Sequence, residues 1–314
     1  MMDLTGNNTG VMQVERRKNP VAVPKETEDL IVAGVSQNTL RNYRYWSRAI
    51  ETWLKGRSLT DVLLAEYITH IHQTGKSPST ISQAVAAVRW LAKNQGIEIV
   101  GEVTTRTLAG IRREGKERGR GQVDGLNWSD VERVCAFCEM DNSIAGLRDS
   151  ALIRLMSDCL LRVSEAVAVN VEDLKDKTLI VRSSKTDQAG VGEMLYVTSD
   201  TRRIIKQYRE KTGITQGALF RQVRRGDHIQ QGRLSARSAR RQITYWAELA
   251  GVEGFISGHS LRVGSAVSLA QAGASVVDMQ TAGRWKSSQM PAHYAKAQLA
   301  ERGAIARFKE KKGR

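Results

Sequence analysis

Cysteine is scarce in this chain: three in 314 residues, Cys135, Cys138 and Cys159. So small and odd a number excludes a disulfide framework and fits a reducing compartment. Cys135-Ala-Phe-Cys138 has the C-x-x-C form, but no second pair or neighbouring histidine completes a zinc site. The pair falls inside a helical pattern and reads as core. Long apolar runs are missing too; a membrane-spanning helix needs about 18 such residues or more. Met1 to Pro20 is polar and lacks the apolar core of a signal peptide. The chain is therefore expected in the cytoplasm, with no membrane partner. Acidic residues are in deficit, 33 Asp and Glu against 48 Lys and Arg, which leaves a formal net charge of +15. Such an excess requires an anionic partner, and nucleic acid is the first candidate.

What is present concentrates in three places. Ser257 to Tyr294 reads S-G-H-S-L-R-V-G-S-A, an apolar stretch, then G-R-W-K-S-S-Q-M-P-A-H-Y. His259 and Arg262 stand three apart at the start of a helical pattern, so they share a face of its first turn. That end of a helix carries positive dipole and free N–H groups, which suit a phosphate. Trp285 and Tyr294 follow, the tyrosine just after a proline placed to start a new helix. Upstream, Arg162 and Glu165 repeat the same spacing inside an apolar helical segment, Ala151 to Val169. Ser183-Ser184-Lys185-Thr186-Asp187 lies in a short turn between two strand-like runs. Taken singly each has an ordinary reading: a buried ion pair, a structural histidine, a surface lysine, two packing aromatics. Together they require chance to supply order, spacing and residue type at once.

The set resembles the tyrosine recombinase (phage integrase-like) family. The family pattern of Arg, Glu or Asp, Lys, His-x-x-Arg, His or Trp, and Tyr occurs here in order as Arg162, Glu165, Lys185, His259, Arg262, Trp285 and Tyr294. The resemblance is strong over about residues 145–300 and holds only in pattern over the N-terminal third.

The chain reads as mainly α with a small antiparallel β-sheet in the C-terminal domain, a two-domain DNA clamp. Residues 1–25 have little apolar pattern and read as a disordered tail. Residues 26–112 form a helical domain, with helices over Ser36–Lys55, Leu59–Gln73, from Ser77-Pro78 to near Gly96, and Thr104–Arg113. By resemblance this is the core-binding domain, with Thr39, Arg41, Asn42, Ser82 and Gln83 facing the major groove. Residues 113–126, rich in glycine and charge, read as a flexible basic linker. Residues 127–296 are the catalytic domain. Ser129 and Glu132 give a capping-box pattern, and helices run through Cys138 and over Ala145–Val169. Thr178–Arg182 and Glu193–Thr198 are strand-like around Lys185, and Ser199 opens a helix over Thr201–Lys211. Arg221 to Arg233 reads as a basic loop. Leu234 to Gly251 is a helix with Arg237, Arg240 and Arg241 in its first half and Ile243, Trp246 and Leu249 turned inward. The resemblance makes these arginines DNA contacts, Arg237 toward a guanine edge. Helices continue over Ser260–Ala272 and Ser275–Thr281. Residues 297–314 carry Leu299, Ile305 and Phe308 on an otherwise polar helix, which the resemblance assigns to subunit exchange.

The resemblance implies transesterification at a DNA phosphodiester, with no metal and no cofactor. Tyr294 is the nucleophile and forms a 3′-phosphotyrosine. Arg162, Arg262, His259 and Trp285 hold the non-bridging oxygens, Lys185 protonates the leaving 5′ oxygen, and Glu165 orients its neighbours. The implied partner is double-stranded DNA with inverted-repeat target sites, bound by a homotetramer that passes through a Holliday junction. A type IB topoisomerase-like enzyme and a non-catalytic DNA-binding regulator are the alternatives. The subunit-exchange tail and the recognition helix speak against the first, the complete residue set against the second.

Overall fold

A computed structural model describes residues 24–119, 121, 123–182 and 192–296. The chain divides into two compact units, Met1–Gly121 and Gln122–Arg314. The first is helical: α1 Lys25–Ala33, α2 Gln37–Leu54, α3 Asp61–Gln73, α4 Pro78–Asn94 and α5 Glu102–Glu114. Local chemistry sets the starts. Ser36, Thr60 and Ser77 each accept a backbone N–H three residues on, and Pro78 fills the first position of α4. Trp46, Ile50, Leu64, Ile68, Ile81, Val85, Val88, Leu108 and Ile111 close the core between α2 and α5. Asp61 reaches across to cap α5, accepting from the backbone N–H groups of Gly101, Val103 and Thr104 at 2.9, 3.0 and 3.1 Å. A Cβ on Gly101 would lie 2.5 Å from that carboxylate, so glycine is needed there. No residue of α1 is buried.

The second unit contains α6 Trp128–Met140, α7 Ile144–Asp158, α8 Val163–Ala168, β1 Thr178–Val181, β2 Glu193–Tyr196, α9 Ser199–Thr212, β3 Arg221–Arg224, β4 His228–Arg233, α10 Ala236–Leu249, α11 Ser260–Gln271, α12 Val276–Gly283 and α13 Gln289–Tyr294. Helix α7 is its axis; Leu152, Ile153, Leu155 and Met156 are fully buried, with Cys135 and Cys138 of α6 packed in the same core. β1 and β2 pair antiparallel from Thr178↔Tyr196 to Val181↔Glu193. Residues 183–191 between them, with Lys185, lie outside the described residues, as do residues 1–23 and 297–314. Among the described residues no helix is long and apolar enough to cross a membrane.

Four local expectations are corrected. The single helix over Ala145–Val169 is two, α7 and α8, broken where Leu160 adopts φ 47°. Leu160 and Leu161 are both buried, so tertiary packing overrides the helical pattern. The basic loop over Arg221–Arg233 is a second antiparallel hairpin. Its tip turns on positive φ at Gly226 and Asp227, and the Asp227 carboxylate caps the N-terminus of α7 through Ile144 and Ala145 at 2.6 and 3.1 Å. Helix α6 is capped by Asn127, which accepts from Asp130 N–H at 2.9 Å; Glu132 is engaged with Arg154 instead of a capping box. Leu249, expected inward, is exposed, whereas Ile243 and Trp246 are buried.

The 113–126 segment is fixed at both ends. Arg118 donates to the His72 carbonyl at 2.7 Å, and Leu126 N–H donates to the Ser260 carbonyl at 2.9 Å.

Candidate active site

The break after α7 places Arg162 at the cap position of α8, and Glu165 becomes the third residue of that helix. The Glu165 carboxylate reaches back in two ways: Oε2 accepts the Arg162 backbone N–H at 3.0 Å and Oε1 accepts Arg162 Nη1 at 2.6 Å. The Glu165 side chain is 3% exposed and that of Arg162 26%, so the guanidinium keeps an open side. Burial works against ionising Glu165, but the charge of Arg284 and the bonds from Arg162 prevail and hold its pKa below the ordinary carboxylate value.

Helix α11 delivers the other half. His259 is exposed at its cap position, and Arg262, three residues on, is 1% exposed. Two of the five Arg262 N–H groups are spent on backbone, donating to the carbonyls of Leu160 and Gly283. Its guanidinium lies over the Trp285 ring, 4.5 Å from the centroid, and the Trp285 and Tyr294 rings are 5.8 Å apart. A Cβ on Gly283 would fall 1.9 Å from the Trp285 ring, so only glycine lets the indole lie there. Arg262, Trp285 and Tyr294 thus form one cluster, the two rings tilted at 46° to each other and Arg262 held by the carbonyls of Leu160 and Gly283.

The electrostatics follow from crowded cations in a half-buried site. Burial, then Arg162 and Arg284, bring the Arg262 pKa down to about 10, still cationic at neutral pH. Desolvation, then Arg262 and Arg162, push His259 below its ordinary value, which favours its neutral ring. Burial raises the Tyr294 phenol and Arg262 partly offsets this, so the phenol keeps its proton until a partner removes it.

Of the seven residues expected at the site, Arg162, Glu165, His259, Arg262, Trp285 and Tyr294 gather in this one unit; Lys185 lies outside the described residues. The expected reading missed Arg284, which donates from Nη2 to Glu165 Oε2 at 2.7 Å and is 3% exposed. The one signal was a charged residue set between Gly283 and Trp285.

The profile of the phage integrase family matches residues 126–301, and that of the phage integrase N-terminal SAM-like domain matches residues 27–94. The chain belongs to the phage integrase family. It is a tyrosine recombinase, acting in site-specific DNA recombination. It is 26% identical over 282 residues to an integrase/recombinase xerD homolog of Selenomonas ruminantium, covering 82% of this chain and 81% of that one. It is 22% identical over 268 residues to the recombinase cre of Escherichia phage P1, covering 78% of each. Among solved structures, XerH site-specific recombinase in a post-cleavage complex with palindromic difH substrate matches with a TM-score of 0.65 at 17% identity, over 88% of this chain and 83% of that one. A lambda integrase (75-356) dimer bound to a COC′ core site matches with a TM-score of 0.60 at 19% identity, over 86% and 93%. At these identities the structural likeness shows the fold.

In this recombinase the expected DNA-facing residues form two separate groups. Within the first unit, Asn42 of α2 donates to Gln83 of α4 at 3.1 Å, Ser82 accepts from Arg112 of α5 at 3.5 Å, and Arg41 donates to Asn38 at 3.1 Å. Thr39 is tied to Ser36 at 2.9 Å. Within the second, Arg237, Arg240 and Arg241 are all exposed on α10. The Arg240 stem packs beside Gly258, next to His259, so α10 abuts the start of α11.

Proposed function

We propose that this recombinase is Cre-like: a homotetramer that cleaves and rejoins two inverted-repeat target sites through 3′-phosphotyrosine and Holliday-junction intermediates. The observation that carries the reading is the cluster of Arg262, Trp285 and Tyr294 in the same unit as the Arg162–Glu165 pair. Two guanidiniums fit a phosphate, and the Tyr294 ring lies 5.8 Å from the Trp285 ring over which Arg262 sits.

The Tyr294 oxygen attacks phosphorus while the bond to the 5′ oxygen breaks. The ester is conserved in the phosphotyrosine, so no external energy source enters. Arg162 and the remaining N–H groups of Arg262 bind the non-bridging oxygens, matching planar forks to phosphate and stabilising charge that builds in the transition state. Neutral His259 has one N–H to give to a phosphate oxygen and one lone pair to take the phenol proton. The Trp285 indole N–H is a further donor to the phosphate. Lys185 protonates the departing 5′ oxygen. Glu165, engaged by Arg162 and Arg284, serves to orient rather than to accept the tyrosine proton. Residues 26–112 would form the core-binding domain, 113–126 the linker, 127–296 the catalytic domain and 297–314 the exchanged helix. The division at Gly121 and the two family matches support that layout. Thr39, Arg41, Asn42, Ser82 and Gln83 would meet one groove face, and Arg237, Arg240 and Arg241 another. The reaction would take place in the cytoplasm.

The test is to incubate the protein with fragmented genomic DNA, trap covalent adducts under denaturing conditions and sequence the attached ends. Adducts are expected at one inverted-repeat site through the DNA 3′ end, and none from Tyr294→Phe, in which only the phenol oxygen is lost. A Tyr294→Phe adduct, or ends scattered without sequence preference, would refute the reading.

A further inference from the structure

Arg284 is a costly residue where it stands. It follows the last residue of α12 in the left-handed conformation, φ 54° and ψ 45°, a position that glycine fills without strain and a long side chain does not. Its side chain is 3% exposed, its Nε has no hydrogen-bond partner, and the nearest carboxylate oxygen on that side, Glu193 Oε2, is 3.6 Å away. Neither helix termination nor burial calls for an arginine. The bond to Glu165 does. Arg284 Nη2 lies 2.7 Å from Glu165 Oε2, the same oxygen that accepts the Arg162 backbone N–H, while Oε1 accepts Arg162 Nη1. The carboxylate is thereby held from two sides and cannot turn away from Arg162.

The neighbours of Arg284 widen the consequence. Gly283 offers its carbonyl to Arg262, and Trp285 lies under the Arg262 guanidinium. Three consecutive residues therefore set both arginines: Gly283 and Trp285 hold Arg262 directly, and Arg284 holds Arg162 through Glu165. We propose that Arg284 is a positioning residue for strand cleavage, fixing Glu165 so that the Arg162 guanidinium is aimed at the reacting phosphate in register with Arg262. The proposal rests on the reading of this site as a DNA-cleaving centre.

The test uses the full chain and a nicked duplex carrying the site recovered by adduct sequencing. Arg284→Gly removes the guanidinium at a backbone position that favours glycine, so the backbone itself is not penalised. Single-turnover adduct formation should fall roughly 10- to 100-fold, by analogy with the loss of the partner that orients a metal-ligating side chain, while affinity for the same DNA is retained. The acidic limb of the cleavage profile should move to higher pH, because Glu165 loses a cation that helps keep it ionised. The charged groups around it are Arg162, Arg284 and Arg262, with Glu193 near Arg284 and His259 near Arg162 and Arg262. Arg284→Lys, which keeps the charge, should restore part of the rate, and it carries the comparison if the glycine variant does not fold. Adding Arg284→Gly to Glu165→Gln should cost little more than Glu165→Gln alone, since the two act as a unit. A merely structural arginine would lower the folded yield without moving the pH limb. A wild-type rate and an unmoved limb in Arg284→Gly, or losses that multiply in the double variant, overturn the proposal. Failure of the wild-type protein itself to form an adduct on that DNA overturns the recombinase reading instead.

Discussion

Gly283→Ala is the smallest change that should dismantle the Arg262–Trp285–Tyr294 cluster. Alanine is normally the better helix residue by about 1 kcal/mol, and Gly283 closes α12, so local propensity alone predicts a slightly more stable protein. The added methyl, however, would sit 1.9 Å from the Trp285 ring, against the 3.4 Å at which ordinary contact begins. The ring must therefore retreat by at least about 1.5 Å. It neighbours both the Arg262 guanidinium and the Tyr294 ring, so the proposed nucleophile and one proposed phosphate ligand move with it. A misplacement of about 1 Å at reacting groups can cost about 100-fold in rate, and overpacking of this kind costs about 1–3 kcal/mol of stability. Gly283→Ala should lower single-turnover cleavage by about 100-fold, with DNA affinity preserved and a modestly reduced melting temperature. Rapid-quench adduct formation and a gel-shift titration on one DNA measure both. Cleavage at the wild-type rate would show that the Arg262–Trp285–Tyr294 cluster is not the geometry in which the phosphate reacts.

Two further outcomes test other parts of the reading. Lys185→Ala should slow cleavage of ordinary DNA and recover most of the rate on a 5′-bridging phosphorothiolate, whose leaving group needs no acid; equal defects on both substrates would remove Lys185 from that role. Binding should weaken with salt along a log–log slope of roughly −5 or steeper, at about −0.9 per phosphate neutralised, because a chain of net charge +15 displaces many counterions; a slope near −1 would contradict an extended DNA contact.

Much of the helical framework was legible because helix starts are written locally. Ser36 and Ser77-Pro78 stand in the sequence as capping signals and act as such in the structure. The second hairpin was not legible, since R-Q-V-R-R-G-D-H-I-Q-Q-G-R has little strand character. It is held from outside, by Arg221 donating to the Gln216 and Ala218 carbonyls and by Asp227 at the end of α7. The break at Leu160 was hidden for a related reason. Two buried leucines continue the apolar pattern, and only packing reveals that the chain turns between them.

The same distinction separates the reacting groups of the site from what holds them. Binding a phosphate and forming an ester require particular side chains, so guanidinium, imidazole and phenol announce themselves by type and spacing. Holding Arg262 requires only two carbonyl oxygens, and every residue has one. Leu160 supplies its carbonyl because the chain breaks out of helix there, and Gly283 because α12 ends there. Arg284 is a support with a distinctive side chain, yet nothing local marks it, since its partner Glu165 lies 119 positions away. An arginine fork discriminates phosphate geometry only if it is rigid. The rigidity here comes from groups that carry no chemical signature, and it becomes visible only when the two segments, 160–165 and 283–285, are seen gripping the two arginines in a crossed arrangement. Leu160 of the Arg162 segment holds Arg262, while Arg284 of the Arg262-stacking segment holds Glu165 and with it Arg162. Each arginine is therefore tied to the element that bears on the other, and a shift of either segment would disturb both arginines at once.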